Sequence, residues 1–223
     1  MTGQVDTSAF VDRRARLAAR MEPGAVAVLA TAPELLRNGD SEYPYRHDSY
    51  FYYLTGFTEP ESVLVLVAAL GDAPARAILF CREKNVEREI WDGFRYGPEA
   101  ARVAFGFDEA YPIDELDAQM AGLLANAPAL YYALGHSAVL DAQVSGWLKA
   151  VRAKSRTGIA APSTTHHLLG ILDERRLLKD AGEQALMGRA ARIAAGAHAR
   201  AMRFTRAGGL EYEIEGGLVH GIR

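Results

Sequence analysis

The side chains best suited to bind a metal or move a proton near neutral pH are six histidines, His47, His136, His166, His167, His198 and His220. Their spacing matches no zinc-peptidase helix, because H-E-x-x-H is absent. His166 and His167 are adjacent, so on a helix they diverge and cannot easily share an ion. His198 stands alone in a helical pattern and reads as a structural residue. Glu211 and Glu215 lie one helical turn apart. A carboxylate-bridged metal site in a bundle needs Glu-x-x-His, and Gly217 stands three residues before His220. These carboxylates therefore read as a solvated face.

Nucleophile and phosphate motifs are missing too. There is no G-x-S-x-G elbow, no G-x-G-x-x-G and no phosphate loop. The single cysteine, Cys81, ends the apolar run Ile-Leu-Phe-Cys and reads as a small buried hydrophobe. One thiol allows neither an internal disulfide nor a cysteine zinc site. No residue is assigned as catalytic and none as a metal ligand; the chain offers no self-contained active site.

One dense feature remains. Tyr43, Tyr45, Tyr50, Phe51, Tyr52, Tyr53 and Phe57 are interleaved with Asp40, Glu42, Arg46 and Asp48. Three readings stay open: a half-buried strand with aromatics on both faces, a stacking platform for single-stranded nucleic acid, and an interface or wall of a peptide cleft. The acidic residues argue against the second.

These residues must be held by an alternation of strands and helices. A helix is expected over 7–21, with Phe10, Leu17 and Met21 inward and Arg13, Arg14, Arg16 and Arg20 solvated. Strands are expected at 25–31, within 50–57, at 63–70, at 75–81 and at 129–135, with a short one near Ile90 and Trp91. The 63–70 and 75–81 pair is separated by Gly71-Asp72-Ala73-Pro74 and reads as an antiparallel hairpin. Helices are expected at 98–105, opened by Pro98, at 113–127 and at 137–154. This predicts an α/β fold with a mixed β-sheet flanked by helices. After Pro162 the pattern turns wholly helical, over 164–173, 182–206 and 210–222. Domains are placed at 1–162 and 163–223. The stripe Leu210, Ile214, Leu218 and Ile222 has nothing after it to pack on, as in a domain cut short.

Net charge is −3, without the basic excess of a phosphate-binding protein, so no nucleic-acid partner is expected. No secretory signal and no bilayer-length apolar run is present. The expectation is a soluble cytoplasmic protein with no membrane partner.

The segment DSEYPYRHDSYFYYLTGFTEPESVLVL (40–66) closely resembles the N-terminal domain of bacterial Xaa-Pro aminopeptidases (aminopeptidase P). EIWDGFRYGPEAA (89–101) resembles a second block of that domain. Residues 173–202 resemble the linker and first long helix of the following pita-bread domain, and GLEYEIEGGLVHGI resembles its next helix. The resemblance implies a ribonuclease H-like N-terminal domain and the beginning of a truncated metallopeptidase domain. It implies removal of an N-terminal residue preceding proline by the full-length enzyme, on two manganese ions. The family's two Asp, one His and two Glu ligands all lie beyond the position matching Arg223, so this chain is expected to carry no cofactor and to be inactive alone. In its homo-oligomeric bacterial members, the positions matching Asp40 and Trp91 lie at the substrate cleft, Trp91 reaching another subunit's active site. The expected partners are peptides with proline at position two and further copies of the chain. Two other readings stand beside this one: a stand-alone, non-catalytic binding or oligomerisation module, and a fragment of a prolidase or creatinase relative.

Overall fold

The structure, a computed structural model, describes residues 7–222. Its contacts divide the chain into two compact units, the first ending at Leu172 and the second beginning at Asp173.

Among the described residues, the first unit is built on eight strands, six of them in one sheet. They are β1 (Val26–Ala30), β2 (Leu36–Asn38), β3 (Ser41–Glu42), β4 (Val63–Val67), β5 (Arg76–Cys81), β6 (Glu109–Pro112), β7 (Ala129–Tyr132) and β8 (Thr164–His167). The sheet order is β6-β5-β4-β1-β7-β8, with β2 and β3 forming a separate small hairpin. β4 runs antiparallel to both β1 and β5, while β1–β7, β7–β8 and β5–β6 are parallel. The sheet is therefore mixed, and helices cover both of its faces, as expected from sequence.

Alternation along the strands makes two cores. Ala27, Leu29, Leu64, Leu66, Leu79 and Cys81 point to one face. There they meet α1 (Ser8–Ala18), α2 (Ser49–Thr55), α4 (Pro98–Phe105) and the start of α7 (Leu168–Arg176). Val26, Val28, Val63, Val65, Ile78 and Phe80 point to the other. They pack on α5 (Leu116–Leu123) and α6 (Ala138–Arg152), whose Trp147 is buried at that face. Both sides of β1 and β4 are covered, which is why these strands read as unbroken apolar runs.

Several elements differ from the sequence reading. Residues 49–55 form α2, where a strand was expected. Asp48 caps it, its Oδ1 accepting from the Tyr50 and Phe51 amides at 2.8 Å each. Gly56 closes it at φ 66°, its amide donating to the Tyr52 carbonyl at 2.8 Å. The caps outweigh the β-propensity of the aromatics, and Phe51, Leu54 and Thr55 become one buried helical stripe. Residues 86–92 form helix α3 (Val86–Asp92) where a strand was expected near Trp91; Asn85 caps it by accepting from the Arg88 amide at 3.0 Å. Residues 164–167 are a strand, where a helix was expected to begin. The paired threonines extend the sheet beside β7 in the register Ala129↔Thr164, and the helix starts only at Leu168. The α1 arginines are not all solvated. Arg13 and Arg14 are buried, and Arg14 donates to the carbonyls of Leu54 and Phe105 at 3.0 Å each, where α2 and α4 end. A guanidinium there answers helix-terminal carbonyls that have no partner within their own helix.

The second unit holds α8 (Ala181–Phe204) and α9 (Glu211–Ile222). Asp180 and Glu183 form a reciprocal capping box at the start of α8. Gly221 comes within 3.0 Å of Ala197 when given a Cβ, so the two helices approach closely at small residues. Among the described residues of this unit, Ala197 alone is buried.

Candidate functional site

The segment between β1 and β4 positions the features singled out in the sequence. Gly39, at φ 44°, and Asp40 turn the chain between β2 and β3, and Asp40 is exposed at that tip. Tyr45 is drawn inward: its hydroxyl lies 2.9 Å from Thr31 Oγ1 and donates to the Ala32 carbonyl at 3.2 Å. Burial raises its pKa above the ordinary tyrosine value. His47 stacks on Tyr52 with ring centroids 4.6 Å apart, and burial lowers its pKa. The aromatics thus fasten α2 and its approach to the sheet, with Tyr52 set edge-on to Phe10 and stacked on His47.

Trp91 lies on α3 and is 84% exposed. Ile90 and Phe94 beside it are also largely exposed, and α3 buries none of its residues. Large apolar side chains are thus exposed together on α3 and just past its end.

Between these two elements lies a polar cleft of about 370 Å³. Glu34 and Glu42 line it from the β2–β3 side, and Asn85, Arg88 and Asp92 from α3. Glu61, Arg82 and Arg95 complete the wall. Asp40 and Trp91 are not lining residues, although Glu42 and Asp92, their near neighbours in sequence, are. Glu61 has φ 50°, a left-handed backbone for a residue with a Cβ. At the floor, Arg82 Nη2 stands 3.6 Å from Glu59 Oε2, and both side chains are buried. Glu59 Oε1 accepts from the Tyr96 amide at 2.8 Å. Burial raises the Glu59 pKa, and the Tyr96 amide and Arg82 oppose that rise. Sequence reasoning passed over Arg82 and Glu59. The only signal was a charged residue directly following a buried strand.

A second depression, of about 440 Å³, opens beyond the end of β1. Its best-placed polar group, Asp117, already accepts from Trp147 Nε1 at 2.7 Å. Among the described residues, no three His, Cys, Asp or Glu side chains are grouped so that they could hold a metal ion. His166 sits on β8, with Nε2 2.9 Å from Glu22 Oε1 and its ring stacked on Tyr131 at 4.6 Å. The described residues do not fit a metal centre.

Residues 10–131 match the family profile described as "Aminopeptidase P, N-terminal domain". The chain belongs to the aminopeptidase P family. It is 40% identical to the Xaa-Pro aminopeptidase of Escherichia coli K12 over 97% of its own length and 49% of that protein's. It is 35% identical to the Xaa-Pro aminopeptidase of Haemophilus influenzae, over 95% and 46% of the two chains. Among solved structures it is similar to an Escherichia coli aminopeptidase P variant in complex with substrate. There the TM-score is 0.93 and the identity 39%, over 98% of this chain and 50% of that one. The chain spans about half the length of these relatives. Within the described residues, no helix is long and apolar enough to cross a membrane.

Proposed function

We propose that this chain is the N-terminal half of a Xaa-Pro aminopeptidase that removes an N-terminal residue preceding proline. The observation that carries the reading is coverage: the likeness to the Escherichia coli enzyme runs through 97% of this chain and stops at 49% of the relative. In this reading two manganese ions belong to the half that follows, supplied with ligands by residues beyond Arg223. In this reading, this half does not hydrolyse peptides by itself. Its work is to shape the substrate cleft and to join copies of the enzyme, in the cytoplasm. Asp40, at the β2–β3 turn, and Trp91, on α3, are its contributions to substrate binding. The exposure of Trp91, Ile90 and Phe94 supports a role in subunit contact. We place the end of the N-terminal domain at Leu172, which keeps β8 with its sheet.

The test has two readouts on the 223-residue chain. A peptide with proline at position two is incubated with it and manganese, and light scattering after size exclusion gives its mass. We expect no turnover, and a mass above that of one chain. Appreciable turnover abolished by a chelator would overturn the claim of an inert half. A stable monomer would remove the joining role.

A further inference from the structure

The β2–β3 hairpin turns on a reactive dipeptide, Asn38-Gly39. Its two-residue loop is Gly39-Asp40, set between the paired residues Asn38 and Ser41. Gly39 has φ 44°, and glycine with positive φ at the first loop position is the signature of a type II′ turn. Residues 36–42 are all exposed, and a Cβ built on Gly39 would meet nothing within 4 Å. The tip is open on every side.

An asparagine is attacked by the backbone nitrogen of the residue that follows it, and glycine, having no Cβ, leaves that approach unhindered. Ring closure requires Asn38 to leave its extended strand conformation. The hairpin permits this. β2 and β3 form a two-stranded sheet of their own, apart from the six-stranded one, and an isolated two-stranded hairpin is marginal in water. The other two asparagines of the chain are held. Asn85 caps α3 through its Oδ1 and precedes the β-branched Val86. Asn126 is locked to Ala160: its amide donates to that carbonyl at 2.8 Å, and its Oδ1 accepts from the Ala160 amide at 2.9 Å. Among the described residues, no hydrogen bond engages the Asn38 side chain.

We propose that Asn38 is a site of spontaneous deamidation that remodels the hairpin tip. The Gly39 nitrogen bonds to Asn38 Cγ, the Cγ–Nδ2 bond breaks, and Nδ2 departs as ammonia with the proton that Gly39 gives up. One water then opens the ring at either carbonyl. Position 38 becomes aspartate or isoaspartate, with no oxidant and no enzyme taking part. Both products add a negative charge beside Asp40 and Glu42. Isoaspartate also lengthens the main chain by one carbon, which breaks the Asn38↔Ser41 pairing and displaces Asp40. The chemistry is independent of the peptidase reading; only its effect on substrate binding, through Asp40, rests on that reading.

The 223-residue chain is held at pH 8.5 for days beside a synthetic peptide of residues 35–43, and samples are digested briefly with trypsin and mapped by mass spectrometry against an unincubated control. Fragment 38–46 should gain about 1 Da and split into two products. Its rate should lie within about tenfold of the free peptide's, since opening a marginal hairpin costs little. Fragments holding Asn85 and Asn126 should stay unconverted over that time. Asn38→Gln should abolish the change with the circular dichroism spectrum unaltered. The isoaspartyl form, isolated by ion exchange, should exchange its amides across 36–42 faster than the starting chain, with β1 and β4 unchanged. A rate more than about tenfold below the peptide's would mean that the hairpin holds Asn38, and would overturn the proposal. Conversion of Asn85 or Asn126 as fast as Asn38, or equal exchange across 36–42 in the two forms, would overturn it as well.

Discussion

Cys81 shows how completely one side chain's chemistry is set by its position. It ends β5 in the core with 0% exposure, and burial pushes its thiol up to about 12, with Glu59 adding to the rise. A thiol reacts as its thiolate, so two barriers act together: little thiolate forms below pH 10, and no reagent reaches it. Ellman's reagent at pH 8 should find no reactive thiol in the native chain and one equivalent in denaturing urea. Raising the pH to 9 should change nothing in the native sample. Rapid native labelling at pH 8 would mean that the β5 end opens or that Cys81 is not in the core. The linkage sign agrees with a structural role. A thiol whose folded pKa is raised keeps its full contribution to stability below the ordinary cysteine value, and loses it only as pH climbs toward 12. Across the neutral range Cys81 is therefore simply a buried hydrophobe, as its neighbours Leu79 and Phe80 are.

At the scale of elements, α2 is the most instructive. Seven residues rich in β-formers fold as a helix because Asp48 and Gly56 stand at its two ends. Asp48 Oδ1 receives two backbone amides that otherwise lack partners. Asp48→Ala should cost about 1 kcal/mol, up to about 2 kcal/mol, read as a lower urea midpoint with an unchanged slope. Asp48→Asn should retain most of the stability. A loss below about 0.3 kcal/mol in the alanine variant would show that tertiary packing alone holds the helix. The same element marks the limit of what the sequence discloses. β1, β4, β5 and β7 were legible, because a strand covered on both faces must be apolar throughout. Helices α4 and α6 were legible from Pro98 and from the 3.6-residue stripe Leu140, Val144, Trp147 and Val151. α2, α3 and β8 were misread because local propensity was weighed over capping or over a neighbouring strand. β6, on a sheet edge and only half-buried, carries no apolar run to betray it. At the candidate site, Asp40 and Trp91 were placed by resemblance and lie on the hairpin and helix flanking the cleft. Arg82 and Glu59 were invisible, because nothing in a charged residue's type says that the fold will bury it.

For the molecule as a whole, the two units differ in how much core each one owns. The first encloses a sheet between two apolar layers, with Phe51, Phe80, Leu130 and Met120 fully buried. The second buries Ala197 alone among its described residues, while Leu186, Met187, Met202 and Phe204 on α8 stay largely exposed. A capping box and close approach at Gly221 give α8 and α9 their geometry. They do not supply much apolar burial, and helices of this length draw most of their stability from packing. Local opening should therefore be far easier in the second unit than in the sheet. Hydrogen exchange followed by mass spectrometry should show α8 and α9 amides exchanging within minutes while β1, β4 and β5 stay protected for hours. Ending the chain at Leu172 should leave sheet protection and the urea midpoint nearly unchanged, because both layers of the core lie before that point. If α8 matched β1 in protection, its apolar residues would have to be covered by other copies of the chain. If the shortened chain lost its cooperative transition, the core would not be complete at Leu172. The contrast also fits a chain of half its relatives' length. A complete sheet domain needs nothing more to fold, whereas a pair of amphipathic helices needs a surface on which to lay its exposed leucines and methionines.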